Sequence, residues 1–344
     1  MMVKYKSFDI NISLCRVLSM IMIIICHIGT KTGNGIVGQF FQMGVQVFLL
    51  ISGYLIGKSD ISNPENWIKK RILRILPPIY IFSAFLILYS LSKGIISNPI
   101  KDMIIFATGV QGVHHIFCFI KPLSSIKGLS HLWYITVIFL CYLLVYCLIK
   151  NKDLDIYIKK NRKKTLIALF LLQIILGFFQ IRIDYFWIFF MGYLLKKEDI
   201  LKRNNYLGIC AVTLVLVFLR LSLKRYCDLN GDNNLYLYVI IPITYNFLAI
   251  WMVTTIHIII NKISINDMQE NRLMKILLFF DQLSYFVYIT HYCFIDGPFC
   301  TLNMTSNSVA NSVVLIFLIV VSSMLLKWSS DEVLSIVSTN WRKK

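Results

Sequence analysis

Long apolar runs recur along the whole chain and limit its fold more than any other feature of the sequence. A helix needs about 20 such residues to cross a bilayer, where all backbone polar groups must be bonded internally. Hydrophobic residues make up 57% of the 344 residues and charged residues 15%, which excludes soluble and disordered chains. The sequence predicts an all-α, polytopic membrane bundle of about ten helices. The predicted spans are residues 10–29, 36–57, 76–92, 131–149, 165–181, 184–195, 206–224, 237–260, 276–296 and 309–327. The sixth is short enough to be tilted or re-entrant.

Basic residues concentrate on one side of the predicted spans. Of the 35 Lys and Arg residues, 25 fall in the connectors on the side of both termini and nine toward the opposite side. The positive-inside rule then predicts that both termini are cytoplasmic. The net charge of +18 would suggest nucleic acid in a soluble protein. Here the charges flank apolar runs, so the expected partner is membrane lipid and not nucleic acid.

The domain organisation follows from the same runs. Residues 1–327 are predicted to form one transmembrane domain, and residues 328–344 a short cytoplasmic tail along the inner interface. Arg16 interrupts the first run, which is therefore predicted to be a permanent span and not a cleaved signal peptide. The nine Cys residues are scattered without metal-type spacing, so they are predicted to be small packing residues.

Two ionisable residues, Arg16 and His27, lie within the first predicted span. They are 11 positions apart, which places them on one helix face about 16 Å from each other. Ionisable groups inside a membrane normally face the bundle interior. A cation below an imidazole is typical of a site that crosses the membrane. The alternative is that Arg16 snorkels to the interface and His27 is interfacial, and the spacing alone does not choose between them.

Two other predicted spans carry polar stripes. Gln39, Gln42 and Gln46 follow helical spacing in the second span, where hydrogen bonding between helices is favoured over a polar cavity. The ninth span carries a carboxylate, two hydroxyls and an imidazole within a sector of roughly 80°. These residues are Asp281, Ser284, Tyr288 and His291. Such a group does not face lipid, and a cavity is slightly favoured over helix–helix bonding.

A basic segment precedes the third predicted span. Arg71 and Arg74 share one helix face just before Pro77 and Pro78. We expect this proline pair to interrupt the helix and change the direction of the chain. Two adjacent guanidinium groups can bind phosphate bidentately. From the residues alone, ordinary anchoring by positive charge is the favoured alternative.

The remaining histidines give weaker signals. His114, His115 and His131 fall on the predicted outer side, but no acidic or cysteine partner has metal-type spacing. They are predicted to be surface or acceptor-side residues, and no bound metal is expected. His257 is predicted to be packed and hydrogen-bonded.

Several of these segments occur together in an order that resembles the membrane-bound acyltransferase 3 family, the polytopic O-acyltransferases of bacterial surface glycans. The shared segments are Arg16-x10-His27, Gly44–Phe48 with Ser52–Ile56, Arg71-x-x-Arg74, His131–Tyr134, Phe189–Leu195 and Ser284–His291. The first pattern alone is weak evidence, but the combination in this order covers essentially the whole chain.

The resemblance implies roles for four residues. It makes Arg16 and His27 catalytic, with His27 as general base, and makes Arg71 and Arg74 contacts to the phosphates of an acyl-CoA. It implies an O-acetyltransferase that moves an acetyl group from cytoplasmic acetyl-CoA to a sugar hydroxyl. The acceptor would be a lipid-linked or polymeric cell-envelope glycan, such as O-antigen, capsule or exopolysaccharide. It also implies a multi-pass protein of the bacterial inner membrane, with no permanently bound cofactor.

Other functions remain open on the sequence alone. A transporter or flippase could use Arg16 and His27 as a substrate or proton pathway, although we find no paired repeats or twin broken helices. A purely structural subunit is disfavoured by the many polar groups within the spans. Some members of the family carry an esterase-like domain after the last span, and none is expected here because about 17 residues follow residue 327.

Overall fold

The computed structural model describes residues 10–96, 98–124, 126–195, 203–230, 233–262 and 272–342. Almost all of these residues are helical. In chain order the helices are α1 (Ile10–Lys31), α2 (Gly35–Phe41), α3 (Gly44–Gly57), α4 (Pro64–Ser92), α5 (Pro99–Thr108), α6 (Val113–Ile116), α7 (Trp133–Lys150), α8 (Lys152–Lys160), α9 (Arg162–Phe178), α10 (Asp184–Leu194), α11 (Arg203–Asn230), α12 (Ile241–Lys262), α13 (Arg272–Ile295) and α14 (Ser308–Arg342). A 3₁₀ turn, Ser130–Leu132, leads into α7, and a π-helical turn, Tyr236–Ile240, leads into α12.

The predicted all-α, polytopic bundle is confirmed. Within the described residues, eight helical stretches are long and apolar enough to cross a membrane. The other two predicted spans form α9 and α10, which have 17 and 11 residues. The orientation prediction also counted residues 1–9, 196–202 and 263–271, which lie outside the described residues.

Three predicted boundaries differ from the structure. The second predicted span is divided between α2 and α3, and the predicted tail continues α14 to Arg342. The expectation that Pro77 and Pro78 interrupt the helix is wrong, because α4 continues through both. A proline removes one helical hydrogen bond, but neighbouring helices can compensate within a bundle. The Tyr285 hydroxyl on α13 donates to the Ile75 carbonyl at 2.8 Å and so ties α13 to this part of α4.

Helices α3 and α10 approach each other closely because glycines line their contact. A Cβ atom on Gly53 would lie 2.0 Å from the Phe189 carbonyl oxygen, and one on Gly57 would lie 2.2 Å from that of Tyr193. From the opposite side, a Cβ on Gly192 would lie 2.1 Å from the Leu50 carbonyl oxygen. Gly53 and Gly57 form a small-xxx-small pattern, which allows backbones to meet in membranes. The backbones of α3 and α10 are therefore in direct contact.

The predicted site residues lie on α1 and α4, and both helices pack against α13. Helix α1 packs against α13, α2, α3 and α12, whereas α4 packs against α7, α13 and α14. Apolar side chains from α3, α4 and α7 fill the space between them, and Leu49, Leu86 and Val137 have no exposed surface. Among the described residues of these helices, one cavity lies near each end of α1.

Candidate active site

Arg16 and Asp281 form an ion pair between α1 and α13. The Arg16 Nη2 atom donates to Asp281 Oδ2 at 2.9 Å, and Ser13 Oγ donates to the same oxygen at 2.6 Å. The Asp281 side chain is 7% exposed and that of Arg16 is 31% exposed. Arg16 therefore faces the bundle and does not snorkel. Arg16 Nε and Asp281 Oδ1 are buried without hydrogen-bond partners, so the pair keeps unused bonding capacity.

An inner cavity of about 500 Å³ opens beside this ion pair. It brings together three of the four predicted site residues, Arg16, Arg71 and Arg74. Asp281, a member of the ninth-span stripe, also lines it. Three guanidinium groups and one carboxylate leave this cavity with an excess of positive charge. Such a cavity favours an anionic ligand, and guanidinium groups match phosphate geometry.

The Arg71 side chain is held by aromatic rings. Its Cζ atom lies 5.9 Å from the Trp67 ring centroid and 5.7 Å from the Tyr142 ring centroid. Cation–π contacts at these distances are favourable and restrict the side chain. Tyr142 also lines the inner cavity, so the aromatic contact fixes the guanidinium group at the cavity wall.

A second, outer cavity of about 440 Å³ contains His27, the fourth predicted site residue. Imidazole, amide and hydroxyl groups supply most of its polar wall, with Trp133, Phe106 and Tyr292 as aromatic neighbours. Its other lining residues include Gln39, Gln42, Gln111, His114, His115, Ser130 and His131. The structure therefore separates His27 from the three arginines, which line the inner cavity.

His27 belongs to a cluster of rings that the sequence did not predict as a unit. Its ring centroid lies 4.7 Å from that of Tyr292, 5.3 Å from that of His291 and 6.4 Å from that of His131. His131 and His291 are 3% and 0% exposed, so neither is a surface residue. The sequence predicted His131 to be a surface or acceptor-side residue and placed His291 on a polar stripe. Only the packing of α1, α7 and α13 places both beside His27.

Backbone carbonyls hold the two buried imidazoles. His131 Nε2 lies 2.9 Å from the Tyr288 carbonyl oxygen and 3.1 Å from that of Ile289. His291 Nδ1 lies 2.8 Å from the same Tyr288 oxygen and 3.1 Å from that of Val287. One carbonyl group thus binds both rings. The other nitrogen of each ring, His131 Nδ1 and His291 Nε2, is buried without a partner.

Tyr288 lies between the two cavities. It lines the inner cavity and also a small cavity of about 60 Å³, whose wall includes His27 and His131. The Tyr288 hydroxyl donates to the His131 carbonyl oxygen, which ties α13 to the start of α7. Ile23 and Val45 complete this narrow region. The inner and outer cavities are therefore divided by a thin layer that contains the tyrosine.

Sequence reasoning missed a buried cation on α11, Arg220. Arg220 Nη2 donates to the Tyr245 hydroxyl at 3.0 Å. The single proton of that hydroxyl is shared between two acceptors, the Gln39 carbonyl oxygen at 2.7 Å and Gln42 Oε1 at 2.9 Å. Part of the glutamine stripe thus bonds neighbouring helices, as the sequence favoured, and also lines the outer cavity. Arg220 lies inside a predicted span, which was the available signal.

A second buried ion pair joins the loop after α9 to α10. Arg182 donates to Asp184 Oδ1 and Oδ2 at 3.1 and 2.9 Å. Burial alone would lower the pKa of Arg182, but the Asp184 carboxylate raises it above its usual value. The pair lies at the start of a short helix and does not line the outer cavity. Its geometry indicates a structural role in fixing that loop.

Metal binding finds no support in the described part of the chain, where no three His, Cys, Asp or Glu side chains are arranged to hold an ion.

Comparison with known proteins bears on the chemistry of these cavities. The family profile described as an acyltransferase domain, that of the acyltransferase 3 family, matches residues 9–329. Neither a curated protein nor a solved structure matches the chain. The matched region includes both cavities and almost the whole helical bundle. The chain therefore belongs to the acyltransferase 3 family and is a multi-pass membrane acyltransferase.

Proposed function

We propose that this protein is an O-acetyltransferase that moves an acetyl group from cytoplasmic acetyl-CoA to a sugar hydroxyl of a cell-envelope polysaccharide. The acceptor is an O-antigen, capsule or exopolysaccharide chain in lipid-linked or polymeric form. The observation that carries the proposal is the pair of cavities divided near Tyr288, with arginines lining one and His27 the other. Donor and acceptor can enter from opposite sides and meet in the middle of the bundle.

The inner cavity suits the donor. Acetyl-CoA carries phosphate groups that Arg71 and Arg74 can bind, and Arg16 lies in the same wall. The side on which these arginines lie is the basic, cytoplasmic side by the positive-inside rule. The pantetheine arm would extend from the arginines toward Tyr288 and bring the thioester near the outer cavity. No metal is needed, because a thioester is already an activated acyl donor.

The outer cavity suits the acceptor and the proton transfer. His27 accepts the proton of the sugar hydroxyl as its oxygen attacks the thioester carbonyl carbon. The carbon–oxygen ester bond forms, the carbon–sulfur bond breaks, and the proton passes to the departing CoA thiolate. Arg16 orients the donor or stabilises the negative charge that develops. In this proposal the protein lies in the bacterial inner membrane with both termini in the cytoplasm.

The donor half of the proposal is tested by CoA binding to the purified protein in detergent or nanodiscs. The double variant Arg71→Ala, Arg74→Ala should weaken CoA binding at least about 100-fold, since each charged hydrogen bond contributes roughly 1.5–3 kcal/mol. Lys70→Ala is the matched control, because Lys70 is an exposed cation on the same helix outside the cavity wall. A transporter of another substrate would not bind CoA, and that result would reject the donor assignment.

The acceptor half is tested by the O-acetyl content of the surface glycan, measured by NMR. Host cells that lack the gene are complemented with wild type or His27→Ala at equal membrane levels. We expect acetylation with wild type and none with the variant. His257→Gln serves as the control, because His257 contacts Asn11 and lines neither cavity. Equal acetylation with His27→Ala would show that His27 is not the base.

A further inference from the structure

The wall of the outer cavity indicates the chemical class of its ligand. Among its described lining residues there is no Asp, Glu, Lys or Arg. The polar groups are the amides, hydroxyls and imidazoles of residues such as Gln42, Gln111 and Ser130. An anionic ligand would lose its hydration here without gaining a cation, which is unfavourable. An uncharged ligand rich in hydroxyl groups meets donors, acceptors and aromatic faces.

His114 and His115, which also line the outer cavity, add no charge to its wall. Burial, together with smaller effects of the neighbouring His114 and Arg182, lowers the pKa of His115 to about 3. Burial also lowers the pKa of His114. Both imidazoles are therefore neutral at physiological pH. His115 stacks on Trp133 with ring centroids 4.4 Å apart, which extends the aromatic wall of the cavity.

His131 has a tautomer that its surroundings fix. Its Nε2 lies within hydrogen-bond distance of two backbone carbonyl oxygens, those of Tyr288 and Ile289. A carbonyl oxygen only accepts hydrogen bonds, so Nε2 carries the proton. In the neutral ring Nδ1 then holds a lone pair, so this atom can only accept a hydrogen bond. This atom is buried and has no partner in the protein, although His131 lines both the outer and the small cavity.

A buried acceptor without a partner is unusual, because an unmade hydrogen bond costs about 1–3 kcal/mol. A ligand hydroxyl supplies the missing donor. The His27 ring, whose centroid is 6.4 Å away, lies close enough for one sugar to contact both imidazoles.

We propose that the outer cavity binds an uncharged sugar unit of the acceptor, and that His131 Nδ1 accepts a hydrogen bond from one of its hydroxyl groups. His131 is thus an acceptor-binding residue beside the general base His27. The proposal rests on the acetyl transfer proposed above and adds the class of sugar and the residue that positions it.

Two substitutions separate this role from a structural one. His131→Gln keeps an N–H group near the position of Nε2 and loses the acceptor at Nδ1. His131→Asn keeps an acceptor near the position of Nδ1 and loses the N–H group that binds the two carbonyls. A purely structural histidine tolerates Gln better than Asn. An acceptor-binding histidine shows the opposite order in the KM for the glycan.

The assay uses radiolabelled acetyl-CoA and purified protein in nanodiscs. The probe is the lipid-linked and polymeric glycan fraction of the host strain lacking the gene, deacetylated with mild alkali. We expect His131→Gln to raise the glycan KM about tenfold, the equivalent of one hydrogen bond of roughly 1.4 kcal/mol. The acetyl-CoA KM and the CoA affinity should stay within about twofold of wild type, because the inner cavity is unchanged. His131→Asn should keep the glycan KM within about threefold and lower the thermal stability.

The outcomes of these assays distinguish the role of His131, the class of sugar and the proposed function. An unchanged glycan KM in His131→Gln overturns the role of His131 and leaves the proposed function intact. If His131→Gln loses CoA binding and so fails to fold, the Asn variant decides, and a tenfold rise in its glycan KM overturns the role. NMR of the wild-type product should place the acetyl group on a neutral sugar, and its presence on a uronic or sialic acid overturns the ligand class. A wild-type protein that binds CoA but acetylates no glycan rejects the proposed function itself.

Discussion

The contact between α3 and α10 makes a quantitative prediction about Gly53. A Cβ atom at this position would lie 2.0 Å from the Phe189 carbonyl oxygen, whereas ordinary contact begins at 3.4 Å. In Gly53→Ala the helices must therefore separate by about 1.4 Å, since both opposing groups are backbone. A gap of 0.5–1 Å already loses roughly a quarter to a half of each dispersion contact. We expect a loss of about 3 kcal/mol or more, near the upper end for overpacking in a core.

The measurement is thermal unfolding in detergent, followed by the loss of the monodisperse peak in size-exclusion chromatography. A loss of about 3 kcal/mol corresponds to a fall in the melting temperature of roughly 6 °C or more. Gly208→Ala is the matched control, because a Cβ at Gly208 in α11 has open space around it. It should be neutral or slightly stabilising, since alanine favours a helix over glycine. Equal melting temperatures of the two variants would show that α3 and α10 do not approach each other this closely.

Two further predictions concern charged groups at the two ends of the site. Asp281→Ala removes the partner of Arg16 and Ser13, and we expect a loss of about 1–3 kcal/mol because Arg16 is partly exposed. Asp281→Asn should recover part of the thermal stability by accepting from Ser13, and recovery equal to wild type would show that the charge is unimportant. At the outer end, burial alone would raise the pKa of Asp296, but hydrogen bonds from Lys31 and Tyr292 lower it below its usual value of 3.8. A lowered carboxylate pKa stabilises the folded state above the unfolded value and loses that contribution as the pH falls through the folded value. The melting temperatures of wild type and Asp296→Asn should therefore differ at pH 7 and converge below about pH 4, and a constant difference would contradict this assignment.

The outer and inner cavities owe their different characters to residues that are far apart in sequence. Arg16, Arg71 and Asp281 meet at one cavity because α1, α4 and α13 pack together at that end. The sequence suggested that each arginine could be functional, but ordinary anchoring was favoured for Arg71 and Arg74. Their place on a cavity wall is what favours the phosphate-binding interpretation.

The sequence by itself determined the class of fold and the placement of most spans. This was possible because lipid leaves a backbone few alternatives to a helix, so each long apolar run has one structural solution. The same constraint placed Arg16 and His27 on one face, since helical geometry fixes their angular separation. Predictions from local sequence failed where contacts with neighbouring helices override the local preference of the chain. Helix α4 continues through Pro77 and Pro78, within a bundle in which α7, α13 and α14 pack against it.

Only the tertiary structure decided which polar groups share a cavity. His27, His131 and His291 come from three helices, and no periodicity within one helix relates them. Arg220 was missed because its partners, Tyr245 and Gln39, lie on other helices. Side-chain chemistry and helix faces are local properties that a sequence carries, whereas the contact between two faces depends on the packing of the whole bundle.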